Sequence, residues 1–197
     1  MDIQSIISEN TYQSQTFSDL IMQEEELNKV EFINCSFINC DFTKTKINNC
    51  LFDNCKFSKS ILNIVEFRNT TLSSTKFINT HMTGIDFSLI NNKLGTSLNC
   101  SGCNLSYSIF TNINLSNSVI TKCKVNGAAF ELTNLENTDF SESDFKDSNF
   151  IKCNLKKCDF RTAINYFFDI NTNRCQNAKF SYPSVINLLK WYEIDVD

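Results

Sequence analysis

An apolar residue returns at every fifth position of this chain, and that period constrains the fold more than any other feature. From Phe17 the series runs Met22, Leu27, Phe32, Phe37, Phe42, Ile47, Phe52, Phe57, Leu62, Phe67, Leu72, Phe77, Met82 and Phe87. A second series runs Leu105, Phe110, Leu115, Ile120, Val125, Phe130, Leu135, Phe140, Phe145, Phe150, Leu155 and Phe160. At 42% apolar composition, the first run alone has a chance probability on the order of one in a million. Neither the 3.6-residue period of a helix nor the 2.0 period of a strand produces it. A fixed short repeat predicts a solenoid whose units stack on one another to bury a continuous core.

The recurring apolar residue is here called the centre. The residue two before it is small in nearly every repeat, as in Cys35, Cys40, Thr45, Ser60, Thr70, Ser108, Ala128 and Ser143. Two inward side chains so close in sequence overpack a narrow core unless one is small. Asn or Asp often precedes the centre (Asn104, Asn114, Asn134, Asp139, Asp144, Asn154, Asp159), and Asn often follows it by two (Asn34, Asn39, Asn49, Asn54, Asn69, Asn79). Asn tolerates the backbone angles of tight corners. Gly84, Gly102 and Gly127 fall at that second position.

This small–(Asp/Asn)–(Leu/Phe)–x–x pattern resembles the pentapeptide-repeat family across about residues 15–180. The resemblance implies an all-β solenoid: a right-handed quadrilateral β-helix with four pentapeptides per coil, the coils about 4.8 Å apart. Residues twenty apart, such as Phe32, Phe52 and Leu72, then stack on one face. The expected division is an N-terminal cap (1–14), the repeat body (15–180) and a C-terminal helix and tail (181–197). The body is interrupted near 89–97, because Phe87 to Leu105 is not a multiple of five. Leu89–Ser97 is read either as a projecting loop or as a tolerated insertion.

The cysteines invite disulfide or metal chemistry. Cys35, Cys40, Cys50, Cys55, Cys103, Cys123, Cys153 and Cys158 occupy the small inward position, and Cys100 and Cys175 the centre phase. A free Cys behaves as a small buried hydrophobe, so all ten are expected as unpaired thiols. Cysteines stacked on successive coils point in parallel, which is poor disulfide geometry. The single C-x-x-C, Cys100 to Cys103, lacks a second pair or a βαβ context. His81 is the sole histidine and is placed on the surface. No catalytic constellation, cofactor site or phosphate loop is found, so a non-enzymatic interaction protein is expected. No apolar run of membrane-spanning length and no leader segment are seen, which gives a cytoplasmic expectation.

The formal charge is −4, but acidic residues concentrate in Glu131, Glu136, Asp139, Glu142, Asp144 and Asp147, with Lys146 among them. That run is either a solvated face or a negative surface for a partner that grips DNA. Beyond it, the segment from Asp159 to Ser181 resembles the closing segment of the branch holding the quinolone-resistance (Qnr-type) and microcin immunity proteins, though Ile170 stands where Pro is frequent. Pro183 suits a first helical turn, and Val185, Leu188, Leu189 and Tyr192 follow at helical spacing. The resemblance implies a short C-terminal capping helix and a tail-to-tail homodimer through Ile186, Leu188, Leu189, Trp191 and Tyr192. It also implies a DNA mimic that binds DNA gyrase or topoisomerase IV. The alternative is an interaction scaffold with another partner.

Overall fold

The computed structural model describes residues 10–93, 96–194 and 196. They form a four-sided parallel β-solenoid closed by one short helix near the C-terminus. Each face is named here for its first centre. On the Tyr12 face, strands Thr11–Gln13, Glu31–Ile33, Leu51–Asp53 and Thr71–Ser73 pair in register. The Phe17 face stacks Phe17, Phe37, Phe57, Phe77, Cys100 and Ile120. The Leu27 face begins with Glu26–Asn28, Lys46–Asn48 and Glu66–Arg68. It continues, after a 3-10 turn at Phe87–Leu89, with Ile109–Thr111, Ala129–Glu131 and Asn149–Ile151. The Met22 face carries single bridges, from Ile21 and Asp41 through His81 and Asn104 to Ile164.

Every centre of both runs is buried. The middle residue of each strand is buried between exposed or half-buried neighbours, so each contributes one inward side chain. Aromatic rings stack up the rod: Phe37 lies 4.5 Å from Phe57, and Phe110 and Phe150 each lie 4.6 Å from Phe130. Stacked and edge-on pairs at these separations contribute beyond their area. Tyr12 is already a buried centre, paired with Phe32. The solenoid therefore takes in Thr11–Gln13, which lie inside the expected 1–14 cap; residues 1–9 of that cap lie outside the described residues.

The corners have one conformation. The residue two after the centre has positive φ from Ser14, Asp19 and Glu24 through Asn79, and again from Tyr107 to Lys157. At Gly127, with φ +65, an added Cβ would meet the Tyr107 ring at 2.8 Å, so only glycine lets that ring lie across the next coil.

The small inward residue does more than leave space. Its hydroxyl or thiol donates to the carbonyl of a centre in the adjacent coil, as Thr45 to Met22 at 2.6 Å, Thr75 to Phe52 at 2.9 Å and Cys158 to Leu135 at 2.9 Å. Ser, Thr and Cys are thus interchangeable there because each is both small and a donor. All ten cysteines are free thiols. Burial raises Cys40, Cys50, Cys55, Cys153, Cys158 and Cys175, with Cys55 and Cys158 pushed up to about 12.

The break near 89–97 is an insertion absorbed by one coil. Phe77 pairs with Cys100, and His81 with Asn104, twenty-three residues on rather than twenty. The segment is tied in by Asn91 N–H to Thr70 C=O at 2.9 Å and Thr96 N–H to Asn114 C=O at 3.2 Å. Leu94 and Gly95 lie outside the described residues.

Candidate functional site

The acidic run spans slightly less than one coil, so the fold wraps it around the rod instead of gathering it on one face. Glu131 follows Phe130 on the Leu27 face. Glu136 follows Leu135 on the Tyr12 face, Asp139 and Glu142 flank Phe140 on the Phe17 face, and Asp144 and Asp147 flank Phe145 on the Met22 face. Several of these groups have structural partners. Asp139 accepts from the Ser141 amide at 2.9 Å and hydroxyl at 2.5 Å. Asp144 accepts from the Lys146 amide at 3.1 Å and from Asn165 at 2.7 Å. Glu136 pairs with Lys157 at 3.6 Å and Glu142 with Lys122 at 3.7 Å. Glu131, Glu142 and Asp147 are exposed, while Glu136, Asp139 and Asp144 are half-buried.

Basic groups border the belt. Asp159, stacked on Asp139, is held by Arg161 at 2.7 Å and lies 3.9 Å from Lys179. The Arg161 hydrogen bond leads in holding the Asp159 carboxyl below its ordinary range, against the cost of partial burial.

Near the C-terminal end one repeat departs from the lattice, which resumes in phase with Asn154 against Arg174 and Asp159 against Lys179. Asn165 occupies the expected centre but is exposed, with φ +58, and Tyr166 and Phe168 turn inward instead. With Phe160 and Phe180 they form an aromatic plug. Phe160 lies 5.3 Å from Tyr166, 5.8 Å from Phe168 and 5.4 Å from Phe180. The helix, Ser184–Tyr192, is wound as a 3-10 helix and lies beside this plug. Leu188 is buried against the core, so it caps the solenoid. Ile186 is half-buried, while Leu189, Trp191 and Tyr192 are partly exposed.

Trp191 packs on Phe167 at 5.1 Å, and Tyr192 donates to Asp169 at 2.6 Å. The Asp169 bond raises the Tyr192 phenol. Phe167, Ile170, Leu189, Trp191, Tyr192 and Ile194 leave an apolar end surface in contact with solvent. Asp195 and Asp197 of the tail lie outside the described residues.

His81 is exposed on the Met22 face. Among the described residues no group of three or more His, Cys, Asp or Glu is placed to hold a metal ion, and no helix is long and apolar enough to cross a membrane. Sequence reasoning missed the inward turn of Tyr166 and Phe168. The signal was present as the aromatic triplet Tyr166-Phe167-Phe168 directly after a polar centre.

A corner-punctuated four-sided solenoid with a filled core defines a repeat protein that presents its outer faces. The family model for the pentapeptide repeat region matches residues 26–97 and 96–163, and the chain belongs to that family. No curated protein matches it. Among solved structures, a trypsin-treated variant of QnrB1, a plasmid-mediated fluoroquinolone resistance protein, is 21% identical. That match covers 95% of this chain and 90% of the other, with a TM-score of 0.65. Full-length QnrB1 is 19% identical over 93% of this chain and 100% of the other, with a TM-score of 0.55. HetL of Nostoc sp. strain PCC 7120, a pentapeptide repeat protein involved in heterocyst differentiation regulation, is 11% identical over 92% and 94%, with a TM-score of 0.42.

Proposed function

We propose that this protein is a non-enzymatic rod that binds DNA gyrase or topoisomerase IV in place of duplex DNA and protects the enzyme from fluoroquinolone-type inhibitors. The observation that carries the reading is the end-to-end fold likeness to a fluoroquinolone resistance protein, covering 95% of this chain. Two features support it. Acidic side chains ring the rod in its C-terminal coils, and the apolar end around Leu189, Trp191 and Tyr192 is suited to a second copy. Pairing through that end lengthens the rod and brings the two acidic belts towards its middle. Ile186 and Leu188 then support the interface from below.

Within the belt, the exposed side chains are Glu131, Asp147 and Glu142, the last of them ion-paired with Lys122. Asp139 and Asp144 hold turns. Reversal of Glu131 and Asp147 to Lys is therefore expected to weaken gyrase binding without loss of fold, and wild-type binding is expected to weaken with salt. Supercoiling by gyrase with a fluoroquinolone, with and without the purified protein, tests the reading. Activity restored by the protein supports it; no binding and no change in supercoiling rejects it. One observation favours an interaction scaffold for another partner. The acidic groups are spread over four faces and partly neutralised by Lys122 and Lys157, which dilutes a DNA-like field.

A further inference from the structure

The Leu27 face has two halves of opposite chemistry. Before the insertion its outward side chains are polar: Glu26, Lys46 and Glu66 stand in register, with Asn28, Asn48 and Arg68 beside them. These groups partner one another, Asn48 donating to Glu26 at 2.8 Å and Arg68 to Glu66 at 3.2 Å. After the insertion the same two columns hold Ile109, Ala129 and Asn149, then Thr111, Glu131 and Ile151. Ile109 and Ile151 are exposed. Tyr107 flanks this half at one corner, 70% exposed, and Leu132 at the other, 53% exposed.

The corner residues carry the same contrast. Residues of positive φ are mostly Asn, Asp, Ser, Glu or Lys; among those described, Ile64, Tyr107 and Leu132 are the apolar ones other than glycine. Bulky or β-branched side chains are disfavoured in that region, and all three remain exposed, so burial does not offset the strain. All three border the Leu27 face. The Tyr107 ring lies against Gly127, where a Cβ would meet it at 2.8 Å. It is therefore held in place before a partner arrives, which lowers the entropy cost of docking.

We propose that the second half of the Leu27 face docks an apolar polypeptide segment that carries one arginine or lysine at its centre. Glu131 selects the cation. It lies on the middle strand of the three, exposed, with Tyr107, Ile109, Leu132 and Ile151 around it. It makes no ion pair among the described residues. Asp147 and Lys152, at the corners one coil on, are opposite in sign, so Glu131 sets the charge of the patch. A partner that covers the alkyl groups also strips water from this carboxylate, which is costly unless a cation meets it. A guanidinium does so with two parallel hydrogen bonds. A second copy in an isologous contact centred on the patch would set two Glu131 carboxylates against each other, which is repulsive. Duplex DNA presents phosphates at every step, so this surface goes beyond a DNA-like role.

The test pans a displayed library of random linear peptides against the full chain, then measures the enriched sequences as synthetic peptides by fluorescence anisotropy. Gyrase takes no part, so the result is separate from the supercoiling assay. Enriched peptides are expected to combine an apolar run with one Arg or Lys. Ile109→Ser with Ile151→Ser should weaken them about tenfold or more, with the melting transition kept because both side chains point outward. Lys46→Ala, on the polar half, should leave them unchanged. Tyr107→Asn, which installs a residue type favoured at these corners, should weaken them as well and stands in if the double variant fails to fold. Panning against Glu131→Lys should return peptides with Asp or Glu in place of the cation. No enrichment, enriched peptides without a basic residue, or affinities that these face substitutions leave unchanged each overturn the proposal. Self-association of the full chain that Ile109→Ser with Ile151→Ser abolishes assigns the face to a second copy and overturns it too.

Discussion

The Tyr12 face exists in two versions, one on each side of the insertion. Before it, the centres Tyr12, Phe32, Phe52 and Leu72 lie on paired strands, preceded by Thr11, Glu31, Leu51 and Thr71. After it, Leu115, Leu135 and Leu155 follow single bridges at Asn114, Asn134 and Asn154. Each of these asparagines accepts from the amide two residues on: Ser116 at 3.1 Å, Glu136 at 3.2 Å, Lys156 at 3.3 Å. The chain then closes a turn from the centre carbonyl to the next small residue, Thr138 N–H to Leu135 at 3.1 Å and Cys158 N–H to Leu155 at 3.2 Å. With positive φ at its third residue, this is a type II turn.

Both versions carry an asparagine ladder at the corner, Asn54 donating to Asn34 at 2.7 Å in the earlier one and Asn137 to Asn117 at 2.9 Å in the later one. The later version adds a second ladder through the residue before the centre, Asn134 to Asn114 at 2.9 Å and Asn154 to Asn134 at 2.8 Å. Asn directly before the centre, and not Asn at the corner, therefore tracks whether this face is extended or bent.

The comparison is broken most severely in the core. Phe52→Ala is expected to cost about 3–5 kcal/mol and Leu135→Ala about 2–5 kcal/mol by urea unfolding, because each leaves a cavity. A negligible cost at Leu135 means that the bent version is not packed like the extended one. The corners are common to both versions, so Gly127→Ala should cost more than about 1–2 kcal/mol, the left-handed penalty alone. Adding Tyr107→Ala should recover the excess, and no recovery shows that the ring contact is immaterial.

The asparagine argument is sharpened by Asn134→Ala, which removes a turn cap and two ladder bonds. It should cost about 1–2 kcal/mol, against about 0.5 kcal/mol for exposed Asn54→Ala. Equal losses refute the positional difference. The smallest effect is at Asp159. Its carboxyl is lowered in the folded state, so its contribution is present above the ordinary carboxylate range and is lost as pH falls through the lower folded value. The stability gap between wild type and Arg161→Ala should be small near neutrality, because the guanidinium is exposed, and should close below about pH 4. A gap that widens in acid contradicts this.

The period of five, the buried centres, the small inward position and the left-handed corners were legible because each is repeated in every coil. The interior was read correctly for the same reason: a solenoid imposes one environment on equivalent positions. What was not legible depends on contacts between coils. Asn before the centre was assigned to corner geometry, but its amide stacks and caps. Cys at the small position was assigned to volume, but it also donates. The acidic run is contiguous in sequence, and only the twenty-residue circumference of the coil reveals that it is dispersed. Leu188 and Leu189 are neighbours of equal hydropathy, and helix orientation alone sends one into the core and the other outward.

The inserted residues also give the rod a mark of position. A periodic lattice offers much the same backbone after every advance of about 4.8 Å, so a partner gripping only the repeats could settle one coil too far along with little penalty. The coil between Phe77 and Cys100 breaks that translational degeneracy. It serves the rod as an index notch, distinguishing one axial alignment from its neighbours, and deleting the three extra residues would erase the notch while leaving the coils on either side in step.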